Sequence, residues 1–154
     1  MIDKESSLLS ASDVAKYFIT LVCVDEGDSI SNLKLQRLLY FAQGFHLGQY
    51  NLPLFREDII LTDDGPVVPS VYAEYAVFDH KNIPIPIFDS SIFTESQTSF
   101  MNLIYRIYGS FVSSILLYFI RDYIDYHQVN KGEVIPIEHM RQYFQVTLVE
   151  RKRS

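Results

Sequence analysis

The sequence predicts a mainly α protein: a compact single-domain bundle of five or six helices with one or two short extended segments. Three observations lead there. Apolar residues recur at i, i+3, i+4 and i+7 through several long windows, the period of a helix with one buried face. Strand-like runs are few and short, Ile59-Ile60-Leu61-Thr62 being the clearest. The chain has 154 residues, of which 48% are apolar and 21% charged, enough to bury one real core.

The first helix is expected to open at Ser10-Ala11-Ser12-Asp13. Either serine suits the cap, and Asp13 suits the first turn, where a carboxylate meets the positive end of the helix dipole. Val14, Phe18, Leu21 and Val22 follow at helical spacing, and Gly27 is a natural left-handed stop. Ser31 is the next cap. Behind it Leu35, Leu38, Leu39, Ala42 and Phe45 or His46 form one stripe, while Leu33, Tyr40, Phe41 and Leu47 fall outside it. A helix apolar over so much of its circumference belongs at the centre of a bundle. Gly44 costs about 1 kcal/mol against alanine in a helix interior, which a close helix crossing would explain. Asn51 and Pro53 end this helix.

Ile59–Thr62 is read as a strand and Asp63-Asp64-Gly65-Pro66 as a turn. Pro66 is expected at the first position of a helix from Val67 to Tyr75, where its missing N–H does no harm, with Pro69 still inside the first turn. Lys81 to Phe88 carries Pro84 and Pro86, so it is extended and at best an edge strand. The polar run Ser91 to Thr98 suits a cap. From Phe100 to Tyr126 two helices are expected to meet near Gly109-Ser110. Asn130-Lys131-Gly132-Glu133 reads as a turn, and Pro136 precedes a last helix from Ile137 to about Thr147. The folded domain is expected over 8–148, with flexible termini at 1–7 and 149–154.

Thirteen Lys and Arg against nineteen Asp and Glu leave a net charge of −6. That balance counts against a general nucleic-acid binder, which needs a basic face. Cys23 is the single cysteine, so no intrachain disulfide or cysteine-rich zinc site is expected, and a reducing compartment suits the chain. Asp3 and Glu5 sit where a signal peptide would carry only base, so the expected location is the cytoplasm. The most apolar window, Ile107 to Ile120, is fourteen residues long. A membrane helix needs about 20, so this window is read as a buried helix, and no membrane partner is expected.

No catalytic set stands out. His46, His80, His127 and His139 show no i, i+3 or i, i+4 pairing and no Cys/His spacing. His46 reads as a packed, hydrogen-bonded histidine and Cys23 as core. No glycine-rich phosphate cradle occurs. Asp63 and Asp64 are neighbours in a turn and point apart, which makes a poor acid–base couple. His127 with Asp122 or Asp125 is the one combination that suggests a hydrolase, and a solvated helix end explains it equally well. No cofactor or metal is expected. The eleven tyrosines instead suit a binding module, because tyrosine offers large contact area, little rotamer freedom and a polar tip. They suit a homodimer as well as a heterocomplex.

Two segments are more specific than any propensity pattern. Leu33-Lys34-Leu35-Gln36-Arg37-Leu38-Leu39-Tyr40-Phe41-Ala42-Gln43-Gly44-Phe45-His46-Leu47 resembles the signature helix of the Panacea domain, a phage-associated family that includes the SocA-type antitoxins. Gly65-Pro66-Val67-Val68-Pro69-Ser70-Val71-Tyr72-Ala73-Glu74-Tyr75 resembles that family's Gly-Pro-Val-Val-Pro run, at the expected distance after Pro53-Leu54-Phe55. Asp13 to Phe18 resembles its opening helix. The second half is less similar: the chain has no tryptophan where the family usually carries a Pro-Trp pair, and Asp122 to Gln128 replaces that stretch. Thr62-Asp63-Asp64 stands where an aromatic-rich run is common.

The resemblance implies a non-enzymatic antitoxin that neutralises a toxin encoded beside it by direct contact, or hands that toxin to a protease as an adaptor. The alternative is a phage-derived or regulatory scaffold that binds another host or secretion-machinery protein. The expected contact residues are Lys34, Gln36, Arg37 and Gln43 on the polar side of the signature helix, then Tyr72, Glu74 and Tyr75. Gly65, Pro66 and Pro69 are expected to shape the turn and the helix start.

Overall fold

The computed structural model describes residues 8–26, 30–78 and 82–153; the side chains at 25–26, 122, 124–127 and 146–153 lie outside that description. In chain order the elements are α1 (Ala11–Glu26), α2 (Asn32–Tyr50), β1 (Ile60–Thr62), β2 (Gly65–Val67), α3 (Pro69–Tyr75), α4 (Glu95–Tyr108), α5 (Ser113–His127) and α6 (Ile137–Arg153). The protein is mainly α, as the periodicity predicts.

Local chemistry sets the helix starts. Ser10 Oγ accepts the Asp13 N–H at 3.1 Å, so Ser10 rather than Ser12 caps α1. Ser31 Oγ accepts the Lys34 N–H at 3.3 Å at the start of α2. Asn51 closes α2 in the left-handed conformation at φ 58°, which a short amide side chain tolerates better than most. Thr94 opens α4 with a reciprocal capping box: it accepts from Gln97 N at 3.1 Å while Gln97 Oε1 accepts from Thr94 N at 2.9 Å. The expected stop at Gly27 lies outside the described residues.

α2 is the axis of the bundle. Leu35, Leu38, Leu39, Tyr40, Phe41, Ala42, Phe45 and Leu47 are all buried, on every side of the helix. α6 lies across it so closely that glycine is required twice. A Cβ on Gly44 would lie 2.1 Å from the Phe144 ring, and one on Gly48 would lie 2.8 Å from the Phe144 backbone carbon. The crossing that Gly44 suggested is therefore real. An aromatic cluster fills the space around it: Phe41 stacks on Tyr108 at 4.2 Å between ring centres, and Phe45 meets Phe144 edge-on at 4.8 Å.

β1 and β2 form an antiparallel hairpin in the register Ile60–Val67, Leu61–Pro66, Thr62–Gly65. Pro66 thus sits in a strand, not at a helix start, and α3 begins instead at Pro69. The register explains the difference. The Leu61 backbone N–H donates to Glu133 O at 3.0 Å and its carbonyl accepts Gly132 N–H at 2.7 Å, so Leu61 turns its polar groups away from β2. Leu61–Pro66 is consequently the non-hydrogen-bonded pair of the ladder, where a proline removes nothing. Gly65, at φ +99°, makes the turn into β2 that a side chain would strain. The segment around Val134 adds a bridge to Ile60 on the hairpin's other edge, a pairing the sequence did not suggest. The segment after residue 81 makes a single bridge, from Ile83 to Ile30, and is otherwise extended.

The apolar window Ile107–Ile120 is not one buried helix. α4 and α5 meet in it at 98°, and several of its side chains reach solvent. Among the described residues no single helix is long and apolar enough to cross a membrane. α6 continues to Arg153, beyond the expected end near Thr147.

Candidate functional site

The polar residues of α2 were expected to face a partner. Gln36, Arg37 and Gln43 instead face inward, with exposures of 1%, 5% and 2%. Each does a specific job there. Gln36 Nε2 donates to Asn32 Oδ1 at 2.9 Å, and its Oε1 accepts the Val68 N–H at 2.9 Å. Asn32 Nδ2 donates to Tyr72 O at 3.0 Å. These two side chains fasten the start of α3 to α2. Gln43 clasps the loop after α2: its Oε1 accepts from Leu54 N at 2.8 Å and Phe55 N at 3.2 Å, and its Nε2 donates to Phe55 O at 3.0 Å. A buried backbone amide must find a partner, and a glutamine side chain supplies one for Leu54, Phe55 and Val68, while Leu9 pairs with Leu54 O and Arg56 N.

Arg37 reaches the corner where the hairpin meets α5. Its Nη2 donates to Asp64 O at 3.1 Å, and its Nη1 donates to Ser113 O at 2.7 Å and to Ser113 Oγ. Its Nε is buried with no hydrogen-bond partner among the described residues. Burial holds the Arg37 pKa below its ordinary value, and the Asp64 carboxylate partly offsets this. Asp63 points the other way, to Lys131 Nζ at 2.7 Å, so the two neighbouring carboxylates do not converge.

The remaining expected contacts divide. Lys34 and Tyr72 are half-buried and Glu74 is exposed, where it accepts from Ser12 Oγ at 2.9 Å. Tyr75 is buried, and that burial together with Glu74 pushes its phenol up to about 12. The Asn32–Tyr72 bond brings the first turn of α2, which carries Lys34, beside α3, which carries Tyr72 and Glu74. Three of the seven residues therefore reach solvent at least in part, and four are internal.

The other chemical candidates are quiet. His46 Nδ1 donates to Leu52 O at 2.5 Å, and its ring meets Phe100 edge-on at 5.0 Å. Burial lowers its pKa. Cys23 is half-buried and packs against the core. Among the described residues no three His, Cys, Asp or Glu side chains gather where a metal could sit. The side chains of Asp122, Asp125 and His127 lie outside the described residues.

A family model described as antitoxin SocA-like, Panacea domain matches residues 35–116. The chain belongs to the SocA-like antitoxin family of Panacea domains. The match runs from the second turn of α2, through the hairpin, α3 and α4, into the start of α5. It thus covers most of the inward-facing polar set and the partners that set holds. No curated protein and no solved structure matches this Panacea domain. Sequence reasoning missed one feature of the matched region: the exposed apolar corner between α4 and α5. Its signal was present in Gly109-Ser110, which splits the apolar window and forces half of it outward.

Proposed function

We propose that this Panacea domain neutralises a cognate toxin by direct protein–protein contact and carries no catalysis of its own. Membership of the SocA-like antitoxin family carries the reading. The exposure of Lys34, Tyr72 and Glu74 supports it, since a cation, a tyrosine and a carboxylate that reach solvent can pair with a partner without disturbing the core. Masking requires about 800 Å² from each partner, which extends well beyond these three residues. A protease adaptor would use the same contact to deliver the toxin. The proposed setting is the cytoplasm, where a lone cysteine stays reduced.

Co-expression with the product of the adjacent gene tests the proposal. Growth rescue with a stable, co-purifying complex is the expected result. Rescue with loss of the neighbour protein identifies the adaptor route. A harmless neighbour that does not co-purify sinks the toxin pairing and leaves the scaffold reading.

A further inference from the structure

The α4–α5 corner leaves large apolar side chains in solvent: Leu103 at 42% exposure, Val112 at 62%, Ile115 at 42% and Tyr118 at 69%. They form one surface. Leu103 and Ile107 are i, i+4 neighbours on α4, and Ile115 and Tyr118 are i, i+3 neighbours on α5. Ile107, Phe111 and Phe119 line a shared cavity of about 260 Å³ that joins the two helices across their 98° bend. A contiguous exposed apolar patch of this kind marks an interaction site.

Its electrostatics select the occupant. No Asp or Glu occurs from Ser96 to Arg121, in a chain that carries nineteen. Arg106 lies one turn from Leu103 on α4, Arg121 lies one turn from Tyr118 on α5, and both are exposed. Val112 stands at the N-cap of α5 and has no side-chain acceptor to offer; its carbonyl accepts the Ile115 N–H at 3.1 Å and the Leu116 N–H at 3.2 Å. The buried Arg37 guanidinium lies against Ser113 in the same turn, where the Asp64 carboxylate partly balances its charge. Two exposed arginines therefore frame an apolar surface.

We propose that this corner docks an amphipathic segment of the toxin whose apolar residues cover Ile115 and Tyr118 and whose carboxylates meet Arg121 and Arg106. The inference rests on the toxin-neutralising reading. A second copy of this chain fits less well, because a two-fold pairing sets the same surface against itself and brings like charges together. Tyr and Arg at the edge of an apolar patch are also the residue types that dominate binding energy at protein interfaces.

The test uses the full chain with a photo-crosslinking residue at position 118, and a control at Ile87, co-expressed with the product of the adjacent gene. The expected adduct joins position 118 to a segment of the neighbour that carries Asp or Glu within about one helical turn of its apolar residues, with none from position 87. Arg121→Glu should then lower complex yield about tenfold or more, and both Arg121→Glu and Ile115→Asp should melt within about 2 °C of the parent, as surface changes do. An adduct between two copies of the chain overturns the inference. So does a complex that forms with no adduct at 118, or one indifferent to Arg121→Glu. If the chain does not neutralise its neighbour, the toxin reading fails by itself. In that case an adduct at 118 to an acidic, apolar segment of another protein, abolished by Arg121→Glu, keeps the docking chemistry, and its absence removes it.

Discussion

Gln36 and Val68 are thirty-two residues apart, and one hydrogen bond of 2.9 Å, from the Val68 N–H to Gln36 Oε1, ties the central helix to the start of α3. The bond lies in the interior, so Gln36→Ala strands a buried amide. The expected loss is about 1–3 kcal/mol, or a fall in Tm of about 2–4 °C for each kcal/mol at this chain length. Urea unfolding of the two proteins checks it. A variant as stable as the parent would mean that Val68 finds another acceptor.

The α2–α6 crossing should be intolerant in both directions. Gly48→Ala pushes a methyl group against the Phe144 backbone and should cost about 1–3 kcal/mol. Phe144→Ala empties the aromatic cluster and should cost about 3–5 kcal/mol. Gly44 faces the Phe144 ring rather than its backbone, so the Gly44→Ala and Phe144→Ala effects should couple in a double-mutant cycle. Strict additivity would contradict the packing.

Arg37 should act as a clamp on the hairpin and the start of α5. Arg37→Lys removes the planar fork that reaches Asp64 O and Ser113 O together. Amide exchange in residues 63–65 and 113–116 should accelerate about tenfold or more, with far less change in α1. Uniform acceleration over the whole chain would assign Arg37 to global stability instead.

The solvent-reaching candidates Lys34 and Tyr72 should separate binding from folding. Lys34→Glu with Tyr72→Ala should weaken neutralisation about tenfold or more. The pair should leave Tm within about 2 °C, because neither residue belongs to the buried set. Co-purification yield and a thermal melt on the same preparation decide it. Loss of stability in step with loss of binding would return both residues to a structural role.

His46 gives the fold a predictable response to acid. Its folded pKa is depressed below the unfolded value, chiefly by burial. The native state therefore binds fewer protons than the unfolded one, and stability falls as pH drops from above about 6.5 toward the folded pKa. The lowered pKa values of Asp63 and Glu138 act in a more acidic window, below about 4. His46→Asn retains a donor for Leu52 O but cannot titrate. Denaturant midpoints between pH 7.5 and 5.5 should slope for the parent and slope less for the variant; equal slopes would remove His46 as the cause.

The helices were legible because their signals are local. Ser31, Thr94 and Pro136 mark starts, and the apolar period marks faces. The orientation of the signature helix was not legible. Gln36, Arg37 and Gln43 fall on the polar side of a helical wheel, yet backbone groups of the neighbouring loops and turns draw them inward. Polarity reports the need for a hydrogen bond and does not say whether water or backbone supplies it. Pro66 misled for a related reason: a helix N-terminus and a non-hydrogen-bonded strand position both forgive a missing N–H, and only the pairing with Leu61 distinguishes them. Lys34, Tyr72 and Glu74 do reach solvent, while the α4–α5 corner was hidden inside a run that looked uniformly buried.

The meeting of Gly44 and Gly48 with Phe144 also fixes a schedule. A hundred residues separate Gly44 from Phe144, and a ribosome needs about 5–20 s to add them. For that interval α2 has been made but its cover has not. A nascent chain must shield the aromatic flank of its central helix with something other than α6, and a message interrupted before codon 137 yields a product with that flank bare. Such a fragment is a ready substrate for proteolysis, so the supply of working protein is set by completed chains and not by initiated ones.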